Sequence, residues 1–448
     1  MRFPCNSTAF GLNAFAGTVT YTTGSATGTT GGASSSAYGA DSRADGFEAT
    51  TMGFSANATG QGASAFGVSA TANGTNATAV GRAAFASGLD TAAFGADSQA
   101  IGTSATATGV RAIANGLQAT ATGNFAHAVG VNTTATGFSA NATALGATAT
   151  GAGSLAQGQY STANGYLASA TGVGSTASGT GAQAVGNNSS ATGFLSEAVG
   201  ESSVAHGNAA QAFGTSSVAI GHSAKAWDTR ATALGSSANA FGYESSAIGT
   251  NTLATGSNST AVGSYARATN YSTTAVGHNA QAVGYESTVV GQNSYASATG
   301  SAAFGFNAQA LHQNSVAIGA NTVTDRPNSV AVGTAGNLRQ ITGVAPGTFG
   351  TDAVNVDQLL AVAGNIAKVK KFAAAGTAAA MALPAMPPLE VGKYGISFGV
   401  GGYGNAMALG GAIAARPRES LYIAAGVTGS PGSQGSIGWK AQLSYIFP

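Results

Sequence analysis

Residues 78–109 read TAVGRAAFASGLDTAAFGADSQAIGTSATATG, with glycine at 81, 88, 95, 102 and 109. The period runs far beyond this stretch. Stepping by seven from Gly32 to Gly333 lands on 44 positions, of which 38 are glycine; the exceptions are Ala144, Asp228, Asn270, Ala298, His312 and Arg326. A fixed short period is the signature of a repeat architecture. The residue two before each position is almost always alanine, and the one four before is almost always Ala, Ser or Thr, so each unit reads [Ala/Ser/Thr]-x-Ala-x-Gly-x-x. Spacing of two puts the small residues on one face of a short strand and the variable ones on the other. A face with almost no side chains predicts a flattened coil whose two strands approach closely, with glycine where backbone meets backbone. Collagen is excluded, because its glycine recurs every third residue.

The variable face shows that the coil is two units, or 14 residues. The residue before the glycine in every second unit is Ile220, Leu234, Ile248, Val262, Val276, Val290, Phe304, Ile318 and Val332. The intervening units carry Thr255, Thr269, Ser297 and Asp325 among a few apolar residues. An apolar stripe outside an interior too thin to be a core must be buried against something, and the simplest partner is another copy of the chain. These nine residues are the expected seam of an oligomeric head. From Thr108 to Ser178 the stripe turns polar (Thr108, Thr122, Thr136, Thr150, Asn164, Ser178), so the seam is interrupted there.

At 448 residues the length prior alone is about three globular domains, a prior that a solenoid overrides. Only 7% of residues are charged and the formal net charge is +1, which leaves neither a basic patch for nucleic acid nor an acidic tail. Cys5 is the single cysteine, so no intrachain disulfide forms. Asn6-Ser7-Thr8-Ala9-Phe10-Gly11 already reads as a repeat unit. Residues 1–20 show no secretory signal pattern, so the expectation is a truncated or misassigned start of an exported chain, with 12–31 irregular.

After Gly333 the period stops. Residues 334–351 form a Gly/Pro-punctuated connector, after which Asp352 is expected to cap a helix. Asn355, Leu359, Val362, Ile366, Val369, Ala373 and Gly376 are spaced alternately four and three, a heptad seam with Asn355 setting register. Residues 393–448 then alternate with period two. Tyr394, Ile396, Phe398 and Val400 fall on one side of a strand; Leu421, Ile423, Ala425 and Val427 on one side of another; Ile437, Trp439, Ala441, Leu443, Tyr445 and Phe447 on one side of a third; and a weaker run holds Met407, Leu409 and Ile413. Four strands of about ten residues, apolar on one side and small or polar on the other, are the pattern of an outer-membrane β-barrel. Four cannot close a barrel, so it must be shared between chains. The small lumen-facing residues leave room for the helices Ala373 to Ala382 and favour three copies over two. The expected division is an irregular start (1–31), head repeats (32–333), a neck (334–351), a stalk and plugging helix (352–392) and an anchor (393–448).

Asn314-Ser315-Val316-Ala317-Ile318-Gly319 and, 14 residues on, Asn328-Ser329-Val330-Ala331-Val332-Gly333 resemble the head repeat of the YadA-like trimeric autotransporter adhesins. Gln340-Ile341-Thr342-Gly343-Val344-Ala345 with Thr351-Asp352-Ala353-Val354-Asn355-Val356-Asp357-Gln358-Leu359 is similar to that family's neck and stalk, and the terminal strands to its anchor. The resemblance covers nearly the whole chain. It implies a left-handed parallel β-roll head, a homotrimer, a twelve-stranded barrel filled by three helices, and an outer-membrane protein at the bacterial surface that engages host matrix proteins or cells. The family ends on an aromatic residue, whereas here Pro448 follows Phe447.

Catalytic readings find little. His127, His206, His222, His278 and His312 occupy different repeat positions without the spacing of a metal or acid–base site. Asp90 and Asp97 sit on turns, the calcium-binding nonapeptide is absent, and no cofactor or metal is expected. Gly399-x-Gly401 lies in an alternating strand with no following helix, which argues against a dinucleotide fingerprint. The sequons at Asn57, Asn76, Asn141 and Asn258 are generated by the repeat's own composition. Trp227, Tyr243, Tyr265, Tyr271, Tyr285 and Tyr295 cluster where aromatic residues serve either as binding hot spots or as packing. Thr106, Thr120, Thr134 and Thr148, paired with Thr108, Thr122, Thr136 and Thr150, form a ladder that an ice-binding solenoid would also show. A purely structural or self-associating solenoid is the other alternative to an adhesin.

Overall fold

The computed structural model describes residues 7–16, 34–431, 437–445 and 447, and it divides into two compact units between Arg339 and Gln340. In the first unit each 14-residue coil contributes a three-residue strand and a two-residue strand, as in Val218–Ile220 and Lys225–Ala226. Among the described residues the three-residue strands, joined at the end by the two-residue Val330–Ala331, stack in parallel from Thr8–Phe10 onward as a 23-stranded sheet. The two-residue strands form a second parallel ladder, from Phe15–Ala16 to Gln309–Ala310. Most successive strands pair in a 14-residue register, for example Ile220↔Leu234 and Lys225↔Asn239.

Both ladders turn their alanines inward. Ala219, Ala226 and Ala233 are fully buried, and the largest fully buried side chain is Val289. A methyl group contributes only about 0.8 kcal/mol of burial, so the interior is thin and the backbone ladder carries much of the cohesion, coil against coil. Some interior hydroxyls bond locally, Thr252 Oγ1 donating to the Gly249 carbonyl at 2.8 Å and Ser175 Oγ to that of Gly172 at 2.7 Å, while others, such as those of Ser203 and Ser217, meet no partner among the described residues.

The two glycines of a coil differ. Those following the three-residue strands hold φ between +106° and +145° from Gly39 to Gly319, a region nearly closed to other residues. A Cβ on Gly207 would lie 2.6 Å from the carbonyl oxygen of Gly221, one coil on. Glycine is therefore demanded by the stacking of successive coils, where the sequence had suggested contact across one coil. The glycines following the two-residue strands have ordinary φ, and all six exceptions to the period lie on that row. At two of them the side chain caps the turn: Asp228 Oδ1 accepts from the N–H of Thr229 at 2.7 Å, and Asn270 Oδ1 from that of Tyr271 at 2.8 Å.

Two residues past each glycine the chain enters the left-handed region, as at Asn279, Asn293, Asn307 and Asn321 (φ 53° to 56°). Asparagine tolerates this conformation best after glycine. Asn279 Nδ2 donates to Asn293 Oδ1 at 3.0 Å, and Asn307 Nδ2 to Asn321 Oδ1 at 2.9 Å.

The expectation of an irregular stretch over 12–31 is corrected at its start. Phe15–Ala16 forms a strand paired with Arg43–Ala44, and Thr8–Phe10 pairs with Ser36–Tyr38, so the first coil stacks directly on one 28 residues later. The rest of that stretch, from 17 to 31, lies outside the described residues, as do Ser436 and Pro448. At the other end of the roll, Arg339 donates to Thr322 Oγ1 at 2.7 Å and to the carbonyls of Val332 and Ala320, closing the last coil.

In the second unit a helix spans Val356–Met381. Asp352 is not its cap. Its carboxylate accepts from the N–H groups of Thr348 and Phe349, both at 2.9 Å, and these bonds hold it below the usual carboxylate range. The N-cap is Asn355: its side chain accepts from the N–H of Gln358, whose own side chain accepts from the Asn355 N–H. Asn355 Nδ2 also donates to the Val344 carbonyl, so the neck is tied to the first turn. The residue expected to set coiled-coil register thus serves as a helix cap.

Four antiparallel strands follow, Tyr394–Tyr403, Ala406–Arg418, Leu421–Gly429 and Ile437–Tyr445, each paired with the next. Their small-residue face lies on the end of the helix. A Cβ on Gly399, Gly401 or Gly410 would overlap the backbone of Ala378 to Ala382, and Ala408 packs there with Ala378, Ala379 and Ala382.

Candidate functional site

The outward rows of the head are its candidate working surfaces. On the three-residue strands, Ile220, Leu234, Ile248, Val262, Val276, Val290, Phe304 and Ile318 stand side by side in one unbroken register. Val332 follows just past the last strand. Ile318 is 45% exposed, and Leu234, Ile248, Val290 and Phe304 are similarly uncovered in the single chain.

The same row continues toward the N-terminus in a way the nine-residue stripe did not include. Phe10, Tyr38, Met52, Phe66, Val80 and Phe94 line up in register ahead of Thr108. The threonine rank Thr108, Thr122, Thr136 and Thr150 is therefore a polar middle of one long row, with Thr106, Thr120, Thr134 and Thr148 beside it on the same strands. Over that span exposed apolar side chains gather at the turns instead. Val110, Leu117, Phe125, Val131 and Phe138 are exposed in its turn rows, and Phe125 meets Phe138 edge-on at 5.9 Å.

The opposite ladder and the turns carry a second set of aromatic residues. Phe213, Trp227 and Phe241 stack along it, with ring centroids 4.8 Å and 6.0 Å apart. Tyr271 and Tyr285 stack at 5.2 Å on one turn edge, while Tyr265 meets His278 edge-on at 5.9 Å on the other. Tyr243 stands beside the exposed pair Arg230–Glu244 (2.5 Å), in which the carboxylate is lowered and the guanidinium raised, each mainly by their mutual hydrogen bond. Tyr295 pairs with Gln281 and Gln309 on the two-residue ladder. The six aromatic residues grouped in the sequence thus occupy four separate rows, with only Tyr243, Tyr271 and Tyr285 sharing one. The histidines disperse likewise: His127 and His206 on opposite ladders, His222 and His278 at turns, and His312 on a glycine row. Among the sequons, Asn76 spends its amide on Asp90 at 2.9 Å.

In the second unit Leu359, Val362, Ile366 and Val369 are exposed along the helix, Leu359 by 63%. On the terminal strands Tyr394, Ile396, Phe398, Val400, Ile423, Trp439, Leu443 and Tyr445, the residues expected to face lipid, point away from the helix, with Tyr394 85% exposed. Phe447 is exposed and meets Tyr445 at 5.0 Å, while Leu421, paired with Tyr445, is half-covered. The first and last strands each leave one edge unpaired among the described residues. No helix among those residues is long and apolar enough to cross a membrane.

Comparison with known proteins bears on the family of the chain. A family model described as the YadA head domain repeat matches in successive copies from residue 58 to residue 335, and one described as the coiled stalk of trimeric autotransporter adhesin matches residues 340–381. Among solved structures, the collagen-binding domain of the Yersinia adhesin YadA aligns at 31% identity with a TM-score of 0.26, over 44% of this chain and 86% of that one.

Proposed function

The chain belongs to the YadA-like trimeric autotransporter adhesins, and from that membership we propose that it works as a homotrimer anchored in the bacterial outer membrane, its head binding host matrix proteins or cell surfaces. The observation that carries this reading is that three successive parts of one chain each leave an apolar surface uncovered. They are the head row ending at Ile318 and Val332, the helix face of Leu359, Val362, Ile366 and Val369, and the open-edged anchor sheet. Hydrocarbon tolerates no unpaired strand edge, so in this reading three four-stranded sheets close a twelve-stranded barrel around three helices. The glycines and alanines facing the helix leave room for it. Export and insertion would then involve the outer-membrane assembly machinery. The fold and family point to an adhesive, non-enzymatic protein.

The experiment is attachment of cells displaying the full chain to immobilised collagen, fibronectin and laminin, against cells displaying the anchor alone. Binding to at least one coat, dependent on the head, is expected; attachment equal to the anchor-only cells on every coat would overturn the adhesive reading.

A further inference from the structure

In the coils between Ser237 and Asn279 the roll bears a shallow cup of about 230 Å³. It lies where a turn row meets the two-residue ladder, so its walls come from alternate rows of neighbouring coils. Asn251, Tyr265 and Asn279 occupy left-handed turn positions, with φ of 54°, 60° and 54°. Asn239, Leu253 and Arg267 stand in register on the ladder beside them. The 14-residue period sets these residues one above another; the period itself does not dictate their identities.

The guanidinium of Arg267 forms no hydrogen bond or ion pair among the described residues, and no carboxylate lines the cup. The side chain of Asn251 is likewise unengaged, whereas Asn239 donates to the Ser237 carbonyl at 3.0 Å, and Asn279 donates to Asn293 Oδ1 at 3.0 Å and accepts from Gln281 Nε2 at 3.5 Å, each keeping part of its amide free. Tyr265 is held against His278 with its ring half-exposed. The cup therefore offers one unpaired guanidinium, several amides that both donate and accept, and an apolar platform of Tyr265 and Leu253.

We propose that this cup binds an acidic saccharide, with its carboxylate or sulfate on Arg267, its hydroxyls on the asparagine amides and its ring face on Tyr265. A guanidinium matches a planar carboxylate or a sulfate bidentately. Sugar hydroxyls donate and accept at once, as amides do, while an acidic peptide side chain would satisfy Arg267 and leave the amides idle. The cup is smaller than the roughly 300 Å³ of an ordinary small-molecule cleft, which suits one sugar residue of a longer chain. In the proposed trimer it would also stay open to solvent. In these coils Leu234, Ile248, Val262 and Val276 project from the opposite ladder, because the alanines of both ladders face each other inside. The inference rests on the proposed trimer seam and deepens the adhesive reading by naming a ligand class and a place.

The test uses the full chain purified in detergent, with binding measured to oligosaccharides of hyaluronan (carboxylate only), chondroitin sulfate (carboxylate and sulfate) and chitin (neutral), and to polyglutamate. Either acidic saccharide should bind, and which one binds identifies the anionic group. Arg267→Gln should weaken binding about tenfold or more, the scale of one lost charged hydrogen bond. Tyr265→Ala should weaken it severalfold, and Arg111→Gln, at a distant turn, should leave it unchanged. Both cup residues are exposed, so the variants should keep the parent's thermal transition. Binding unaffected by Arg267→Gln, equally weakened by Arg111→Gln, or as strong for chitin or polyglutamate would overturn the proposal. The matrix coats, assayed in parallel with the same preparations, separate the two readings: coats bound without saccharide sink the cup alone, and saccharide bound without coats sinks matrix adhesion alone.

Discussion

Glycine serves two physical purposes in this chain, and they can be separated by substitution. Gly235 has φ +134° and an added Cβ would stand 2.5 Å from the Gly249 carbonyl oxygen; Gly242, on the other row, has an ordinary φ and shares its row with Ala298 and Asn270. Gly235→Ala carries both a steric and a conformational penalty, with the conformational part costing about 1–3 kcal/mol. Gly242→Ala carries only the steric part, which the natural alanines on its row show the backbone can relieve. Amide hydrogen exchange should show the coils around Gly235 opening far more readily in the first variant than the corresponding coils do in the second. Equal loss of protection would mean that φ has no part in the choice of glycine.

At the level of elements, the three-residue strands hold apolar side chains in a row that a single chain cannot bury. Placing aspartate there would put unpaired charge into a desolvated contact, at a cost of several kcal/mol per site. Ile318→Asp together with Val332→Asp should therefore shift a head-and-neck fragment, residues 34–381, from three copies toward one and lower its melting temperature. Three copies with parental melting would assign the seam to another face. Asp352 and Asn355 show how an element boundary departs from its sequence signal. Both are good helix caps, and the choice between them fell to Gln358, which stands three residues after Asn355 and can complete a reciprocal pair only with it.

At the scale of the molecule, adhesion by a repeat surface depends on copies held together. Linking binding sites raises the effective concentration of each later contact and can strengthen attachment by about 10²–10⁴ without any new interaction. Deleting residues 393–448 should abolish cell attachment and leave a head that binds the same coat far more weakly at equal head concentration. Equal strength for the released head and the displayed chain would show that one site suffices.

The seven-residue period, with the residues at its variable positions, already determined the solenoid, its 14-residue coil, the inward alanines and the outward row from Ile220 to Val332. The reason is that strand alternation and coil stacking are both periodic, so sequence position maps directly onto place in the roll. The heptad of Leu359 to Val369 and the alternation of the four terminal strands were legible for the same reason. What only the tertiary structure decided lies between coils or across rows. Glycine's positive φ and its clash with the next coil are relations between residues 14 apart that no single unit expresses. The left-handed residue in each turn left a faint trace in the frequency of Asn, Asp, Ser and Gly at one variable position. The cup around Arg267 draws on two rows and several coils. Its residues differ from the repeat without breaking it, and their meeting becomes visible only when the coils are stacked.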